Sequence, residues 1–342
     1  MPVGLLSLST ELLALIIAFA AEASPDLSRT SILCRLRLTC SRISASATPA
    51  LFRSFILRPC DPSIARFHAL LNDPSPFGPR SLVRRVVFES EVKQQHDDDC
   101  LGWSWEPELT ELTREWYAAV SRLSELENVQ HVYVRFAPTC LDTDDTGTGW
   151  IEAFPNSNVL NLRRGILVAV FKAIVGMRHS LRALSIENLL NFVDTTFTNK
   201  SCFTEVITSI QELHISIAAD VDENDPANAF PLLPAIPRFW PSFASVWLAP
   251  ASPRLISLTL YCNVEFGAVP YWQDCLSSTT ASQDTAALAF PRLRSLTLGR
   301  YALAYESQLD DFLASAAVLP ELRRLTLDDC PIVSHLSVSE SD

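Results

Sequence analysis

The sequence lacks the marks of a secreted or membrane-spanning protein. Its nine cysteines are an odd number and include no C-x-x-C pair, and no basic segment precedes the first apolar run. That run, from Leu12 to Ala21, has ten residues and follows Glu11, whereas a transmembrane helix needs about 20 apolar residues. We therefore expect reduced cysteines, a location in the cytoplasm or nucleus, and no membrane partner.

Positive charge is also scarce. The chain has 27 Lys and Arg against 39 Asp and Glu, which gives a formal net charge of -12. A surface that binds nucleic acid or anionic lipid needs an excess of cations. Nucleic acid is therefore not expected as a partner.

Motifs for catalysis, nucleotides or metals are missing as well. The sequence contains no H-E-x-x-H, G-x-S-x-G or G-x-x-x-x-G-K segment. Asp142, Asp144 and Gly147 begin like a calcium loop, but Ala153 stands where the bidentate carboxylate is required. We expect no catalytic residue, no cofactor and no metal, hence a protein that is not an enzyme; a catalytic triad assembled by the fold stays open.

What the sequence does contain is a repeated segment near the C-terminus. Three copies of P-x-L-x-x-L-T-L begin at Pro253, Pro291 and Pro320. The last two leucines of each copy are two residues apart, so they lie on one side of an extended segment. An amphipathic helix is the alternative, but the prolines and the threonine between the leucines favour strands.

Weaker copies extend the pattern upstream, so that seven strands are predicted between residues 83 and 327. Their first apolar positions are Val83, Val129, Leu181, Ile210, Leu255, Leu293 and Leu322. The pattern resembles the leucine-rich repeat, L-x-x-L-x-L-x-x-N/C, with Asn263 and Cys330 at its last position in two copies. The resemblance implies an α/β fold over residues 81–335, an irregular solenoid whose parallel strands form a curved sheet.

Segments between these strands read as crossover helices or insertions. Helical spacing predicts helices over 108–126, 165–177 and 310–318. Polar or acidic compositions predict loops at 94–99, 138–158 and 277–287. A longer insertion at 220–253 combines prolines with Phe239, Trp240, Phe243 and Trp247, and whether it forms a lid or a contact surface stays open.

The first sixty residues do not share the repeat. A hydroxyl cap at Ser9–Thr10 precedes an apolar helical face, a second helical pattern runs from Leu33 to Ile43, and a third short segment covers 51–57. These segments predict a three-helix bundle at 5–58, and a proline-rich linker at 59–80 with a short helix near 64–71 follows.

The bundle resembles an F-box. The resemblance rests on Leu8-Ser9-x-Glu11-Leu12-Leu13, on the run Arg37–Arg42, and on Ala47–Arg53, which ends as many fungal F-box segments do before irregular leucine-rich repeats. It implies that the helices dock a Skp-type adaptor, and through it a cullin ubiquitin ligase, while the repeats capture an unknown protein substrate. The implied adaptor contacts are Leu8, Leu12, Leu13, Ile16, Leu36 and Leu38.

Residues that flank the buried pairs would line the concave face of such a sheet and contact the substrate. The candidates are His131, Tyr133, Arg135, Glu187, His214, Tyr261 and Arg324. Two alternatives remain: these are ordinary solvated strand positions, or the chain is a non-catalytic leucine-rich-repeat scaffold whose helices only cap the array.

Overall fold

A computed structural model describes eleven segments of the chain. They are residues 7–23, 29–75, 78–90, 107–136, 158–177, 181–191, 194–218, 239–266, 289–301, 303–304 and 320–333. The loops predicted at 94–99 and 277–287, nearly all of that at 138–158, the helix predicted at 310–318 and the first half of the 220–253 insertion lie outside these residues.

The described residues form a mixed α/β fold built on one eight-stranded parallel sheet. Its strands lie in the order β1-β2-β3-β4-β5-β6-β7-β9, and β8 and β10 form a separate two-stranded parallel pair. The strands are β1 Ser54–Leu57, β2 Arg85–Glu89, β3 His131–Arg135, β4 Ala183–Leu190, β5 Glu212–Ala218, β6 Ser257–Phe266, β7 Ser295–Tyr301, β8 Leu303–Ala304, β9 Arg324–Asp328 and β10 Ile332–Val333.

Helices precede the sheet and connect its strands. They are α1 Thr10–Ala23, α2 Arg29–Arg37, α3 Ser41–Phe52, α4 Asp61–Leu71, α5 Pro79–Leu82, α6 Pro107–Ser121, α7 Asn158–Val175, α8 Thr195–Thr198, α9 Ser201–Ile207, α10 Phe239–Phe243 and α11 Ala249–Ala251. A 3-10 turn, Arg122–Glu125, extends α6, and a π turn, Ala244–Leu248, joins α10 to α11. Among the described residues, no helix is both long and apolar enough to cross a bilayer.

All seven predicted strands are confirmed, and the three strong repeats lie side by side. Leu258 pairs with Leu296 and Leu296 with Leu325, and the next leucine of each strand follows the same register. Leucine and valine side chains from one face of the sheet meet the connecting helices in a single continuous core, which includes Trp116 and Phe171. The helices predicted at 108–126 and 165–177 are also confirmed as α6 with its 3-10 turn and as α7, which begins earlier.

A residue with left-handed backbone recurs at an equivalent position in three strands. Asn188, Arg300 and Asp329 adopt positive φ angles of 60°, 58° and 49°, and each stands two residues after the second inward-facing residue of its strand. Few L-residues favour this left-handed backbone, and Asn and Asp tolerate it best. The backbone therefore bends at an equivalent position in all three strands, inside β4 and β7 and directly after β9, although the sequences there differ.

The N-terminal helices form a separate small bundle with a core of its own. Leu13, Ile17, Leu33 and Ala47 are buried together there. The second helical pattern was predicted to run through Cys40, which was wrong: α2 ends at Arg37, and Cys40 is the extended residue that precedes α3.

The third predicted segment, 51–57, is only partly helical. Helix α3 ends at Phe52, and the next residues form strand β1, which pairs with β2 from Ser54–Arg85 to Leu57–Phe88. Leu57 is fully buried in the core of the sheet. The helix predicted within the linker is confirmed as α4, whose Ile64 and Phe67 belong to that same core.

The aromatic residues at the end of the 220–253 insertion are buried. Phe239, Phe243 and Trp247 lie in the core, and the Trp247 ring meets the edge of Phe203 in α9 with 4.9 Å between centroids. The described part of this insertion is therefore a connection packed on the sheet rather than an exposed lid.

Candidate protein-binding surfaces

The face of the sheet away from the helices carries polar residues because side chains alternate along each strand. The pairings Val87–Tyr133, Tyr133–Ser185 and Ser185–His214 align one row across four strands. Glu89, Arg135 and Glu187 form the next row. We call these two rows, together with Arg58, Arg85 and His131, the polar face.

Four charged residues of alternating sign cross the polar face. Arg58 Nε donates to Glu89 Oε2 at 2.7 Å, and Arg135 Nη1 donates to Glu89 Oε1 at 3.0 Å. Arg135 Nε donates to Glu187 Oε2 at 2.6 Å. Each charged side chain has a partner on the adjacent strand. We call this row of ion pairs the charge ladder, and it fixes the orientation of long side chains that would otherwise move freely.

Tyr133 is the centre of the polar face. The guanidinium of Arg85 lies 4.7 Å from its ring centroid and that of Arg135 lies 5.2 Å away. Its hydroxyl donates a short hydrogen bond to Glu187. Burial alone would raise the pKa of Glu187, but the hydrogen bonds from Tyr133 and Arg135 outweigh it and lower that pKa. Glu187 therefore stays ionised and holds both donors.

Two histidines lie beside the charge ladder, and both are neutral. Burial, then the nearby charge of Arg85, lower the pKa of His131 to about 4. Burial also lowers the pKa of His214, and Arg85 adds to this effect while Glu187 opposes it. His131 Nε2 and the Ser185 hydroxyl lie 2.8 Å apart, so a neutral imidazole takes part in a hydrogen bond on the polar face.

Five of the seven predicted substrate contacts come together on the polar face. They are His131, Tyr133, Arg135, Glu187 and His214. Tyr261 lies two strands from Glu187 and packs over Gly299, where an added Cβ would meet its ring at 2.0 Å. Arg324 belongs to β9 at the far edge of the sheet, about 24 Å from β3 at the usual strand spacing, and does not join the cluster.

Arg58 is a member that the sequence reasoning missed. It follows β1, which was predicted as helix, so nothing placed its guanidinium beside Glu89. No sequence signal marks this strand, because Phe55, Ile56 and Leu57 are all apolar and their alternation appears only in the burial of their side chains.

A second candidate surface lies on helix α1. Leu12, Leu15, Ile16 and Phe19 are spaced by three and four residues, so they lie on one side of the helix, and their exposed fractions run from 41% to 69%. We call them the α1 stripe. Leu38, in the turn after α2, is 87% exposed.

The predicted adaptor contacts divide between the surface and the core of the bundle. Leu12, Ile16 and Leu38 are exposed, and Leu8 and Leu36 are half-buried. Leu13, predicted as an adaptor contact, is instead 1% exposed and belongs to the core of the bundle, so its side chain is not available to a partner. Leu15 and Phe19 were missed because the sequence pattern did not distinguish the inward side of the helix from the outward side.

Comparison with the models of known protein families gives no match, and comparison with curated proteins gives none either. In the described part of the chain, no three His, Cys, Asp or Glu side chains come together as metal ligands would. What the geometry offers is an ordered polar surface and an exposed apolar one. Both are suited to contacts between proteins.

Proposed function

We propose that this chain is the substrate-recognition subunit of a Skp/cullin/F-box ubiquitin ligase. In this proposal α1 to α3 form an F-box that docks a Skp-type adaptor, and the sheet is an irregular leucine-rich-repeat array that captures a protein substrate. The observation that carries the proposal is the α1 stripe, where four large apolar side chains face solvent on a bundle that already has a buried core of its own. Apolar surface of this kind marks a docking site for a partner.

The repeats support the second half of the proposal. Adjacent parallel strands share one leucine register, and a left-handed residue recurs two positions after the second inward-facing residue in three strands. At the Asn/Cys position of the repeat, the Cys330 thiol donates to the Leu298 carbonyl at 3.3 Å, which ties the end of β9 to β7. Stacked units of this kind present one continuous face.

The polar face is the proposed site of substrate capture. Its ion pairs orient Arg135, and the hydrogen bond to Glu187 orients Tyr133, before a partner arrives. This order lowers the conformational entropy that binding would otherwise cost. Tyr and Arg are also the residue types that most often dominate binding energy at protein interfaces. The chain would hold substrate for ubiquitin transfer and perform no catalysis itself.

Co-expression with a Skp-type adaptor tests the proposal. Leu12→Asp with Ile16→Asp places two charges on the α1 stripe and is expected to abolish co-purification. Ala14→Asp is the matched control, because Ala14 is exposed on the same helix outside the stripe and its variant should retain the adaptor. Co-purification by a folded double variant would refute the docking site.

The alternative is a non-catalytic repeat scaffold whose helices only cap the sheet. It is favoured by one observation: α3 leads directly into β1 and contacts both β1 and α5, so the bundle lies at the first edge of the sheet. Under this alternative the wild-type chain never retains an adaptor, and the α1 stripe variants change solubility alone.

A further inference from the structure

The last strand of the sheet, β9, ends the strand order next to β7. All five of its residues are exposed, including Leu325 at 39% and Leu327 at 42%. The equivalent leucines of the two preceding strands are buried. Among the described residues, β9 has one neighbour in the sheet, so its other side is an open edge, the usual place for a further strand to add.

The direction of the free backbone groups at this edge follows from the register. The Arg324 amide donates to the Arg294 carbonyl ahead of β7 at 2.9 Å. Successive residues in a strand direct their backbone groups to alternate sides. The N–H and C=O groups of Leu325 and Leu327 therefore point away from β7, toward the open edge.

The sequence of β9, Arg-Leu-Thr-Leu-Asp, is complementary to itself when two copies run antiparallel. With Thr326 opposite Thr326 of a second copy, Arg324 lies opposite Asp328 at both ends, and Leu325 lies opposite Leu327. The residues with outward backbone groups then face each other, as a hydrogen-bonded antiparallel pair requires. Opposite charges placed directly across two strands stabilise the pair.

Other registers lose this match. If the two-fold axis passes through Leu325 or Leu327 instead, fewer residues of the two copies overlap. Arg324 or Asp328 then lies opposite Thr326 rather than opposite a residue of the other charge. A shift by one residue would turn the backbone groups of one copy away from the other. In the described part of the chain neither Arg324 nor Asp328 has an ion pair of its own, so both charges are available to a second copy.

We propose that the chain forms a two-fold symmetric homodimer through β9, which joins two eight-stranded sheets edge to edge. The open edge is filled by a second copy of this chain, because two antiparallel copies of β9 place Arg324 of each copy opposite Asp328 of the other. The contact lies at the opposite end of the sheet from β1 and the helical bundle, so it leaves the α1 stripe free. It is isologous, with the same five residues contributed by each copy.

Sedimentation velocity of the full chain tests the dimer. The wild-type protein should move with rising concentration from 37.9 kDa toward twice that mass. Arg324→Asp places Asp opposite Asp at both ends of the pair, and Asp328→Arg places Arg opposite Arg. Each variant alone should sediment as a monomer at concentrations where the wild type is dimeric.

The mixture of the two variants separates the proposal from a folding defect. A chain with Arg324→Asp and a chain with Asp328→Arg have opposite charges at both ends of the pair, so their equimolar mixture should form a heterodimer. A wild type that stays monomeric, single variants that still dimerise, or a mixture that stays monomeric would each overturn the proposal.

Cross-linking supplies an independent measurement. Directly opposed residues at such a non-hydrogen-bonded site are about 4.5 Å apart at Cα, which a disulfide spans. Thr326→Cys should therefore form a covalent dimer under mild oxidation, above the level of the wild type with its native cysteines. Thr297→Cys, in the same row on β7, is the matched control and should not; equal cross-linking of the two variants would contradict the pairing.

Discussion

At the scale of single residues, the polar face depends on which groups carry charge. Glu187 is ionised and accepts from Tyr133 and Arg135, whereas His131 and His214 are neutral beside the Arg85 charge. A carboxylate that orders an aromatic ring and a guanidinium gives a rigid surface. The neutral histidines keep further positive charge off that surface.

The first prediction concerns the pH dependence of stability. His131 has a pKa of about 4 in the fold against an ordinary value of 6.5, so the unfolded chain binds a proton in this window that the folded chain does not. The contribution of His131 to the free energy of unfolding is therefore fully present above pH 6.5 and is lost as the pH falls toward 4. At pH 5 this loss is roughly 1–2 kcal/mol after allowance for partial exposure of the ring.

Urea unfolding at pH 7 and pH 5 measures this loss for the wild type and for His131→Gln, whose amide keeps a partner for Ser185. The variant should lose less unfolding free energy over the interval than the wild type. An identical loss in both proteins would show that His131 does not contribute to the pH dependence.

The second prediction concerns Gly299. A Cβ at this position would lie 2.0 Å from Cδ2 of Tyr261, so Gly299→Ala displaces the tyrosine ring and should destabilise the fold by about 1–3 kcal/mol. The same substitution in a Tyr261→Ala background removes the clash and should cost far less. Equal costs in both backgrounds, measured by urea unfolding, would contradict the contact.

Single residues also show what the sequence could not decide. Leu12 and Leu13 are adjacent, equally apolar and both within a helical pattern, yet one is exposed and the other is fully buried. Periodicity gives the width of an apolar side of a helix, but only the packing of α2 and α3 determines which part of it is covered. The α1 stripe was therefore found in part, and Leu15 and Phe19 only from the structure.

At the scale of elements, the seven repeated strands could be predicted from the sequence, whereas β1, the first strand of the sheet, could not. The spacing of leucines and valines predicted all seven strands, because a strand with one buried face must alternate. Strand β1 differs: it follows α3 after one residue, and Ser54–Leu57 is too short for alternation to stand out from the helical pattern before it. Its pairing with β2 is a long-range contact that no local pattern contains.

The third prediction tests the role of β1. A chain of residues 53–342 keeps β1, with Leu57 in the core and the Phe55 ring 5.4 Å from that of Phe67, and should stay soluble and folded. A chain of residues 59–342 exposes the edge of β2 and should aggregate. Light scattering of the two proteins compares them, and equal solubility would mean that β1 does not protect the sheet.

At the scale of the whole molecule, three surfaces occupy separate places. The α1 stripe lies on the helical bundle beside the first strand, the polar face covers β2 to β5, and the open edge of β9 is at the far end of the sheet. Under the two proposals, this separation would let an adaptor, a substrate and a second copy bind without competing. Under the proposed function, a dimer would present two polar faces to one substrate and increase its retention by avidity.

The fourth prediction is the most direct test of the proposed function: titration of the purified full chain with a purified Skp-type adaptor by isothermal calorimetry. The wild-type chain and Ala14→Asp should bind one adaptor per chain with equal affinity, and Leu12→Asp with Ile16→Asp should reduce the affinity at least about a hundredfold, as loss of central apolar contacts does. No heat of binding for the wild type, or equal affinity for all three proteins, would contradict adaptor docking by the α1 stripe.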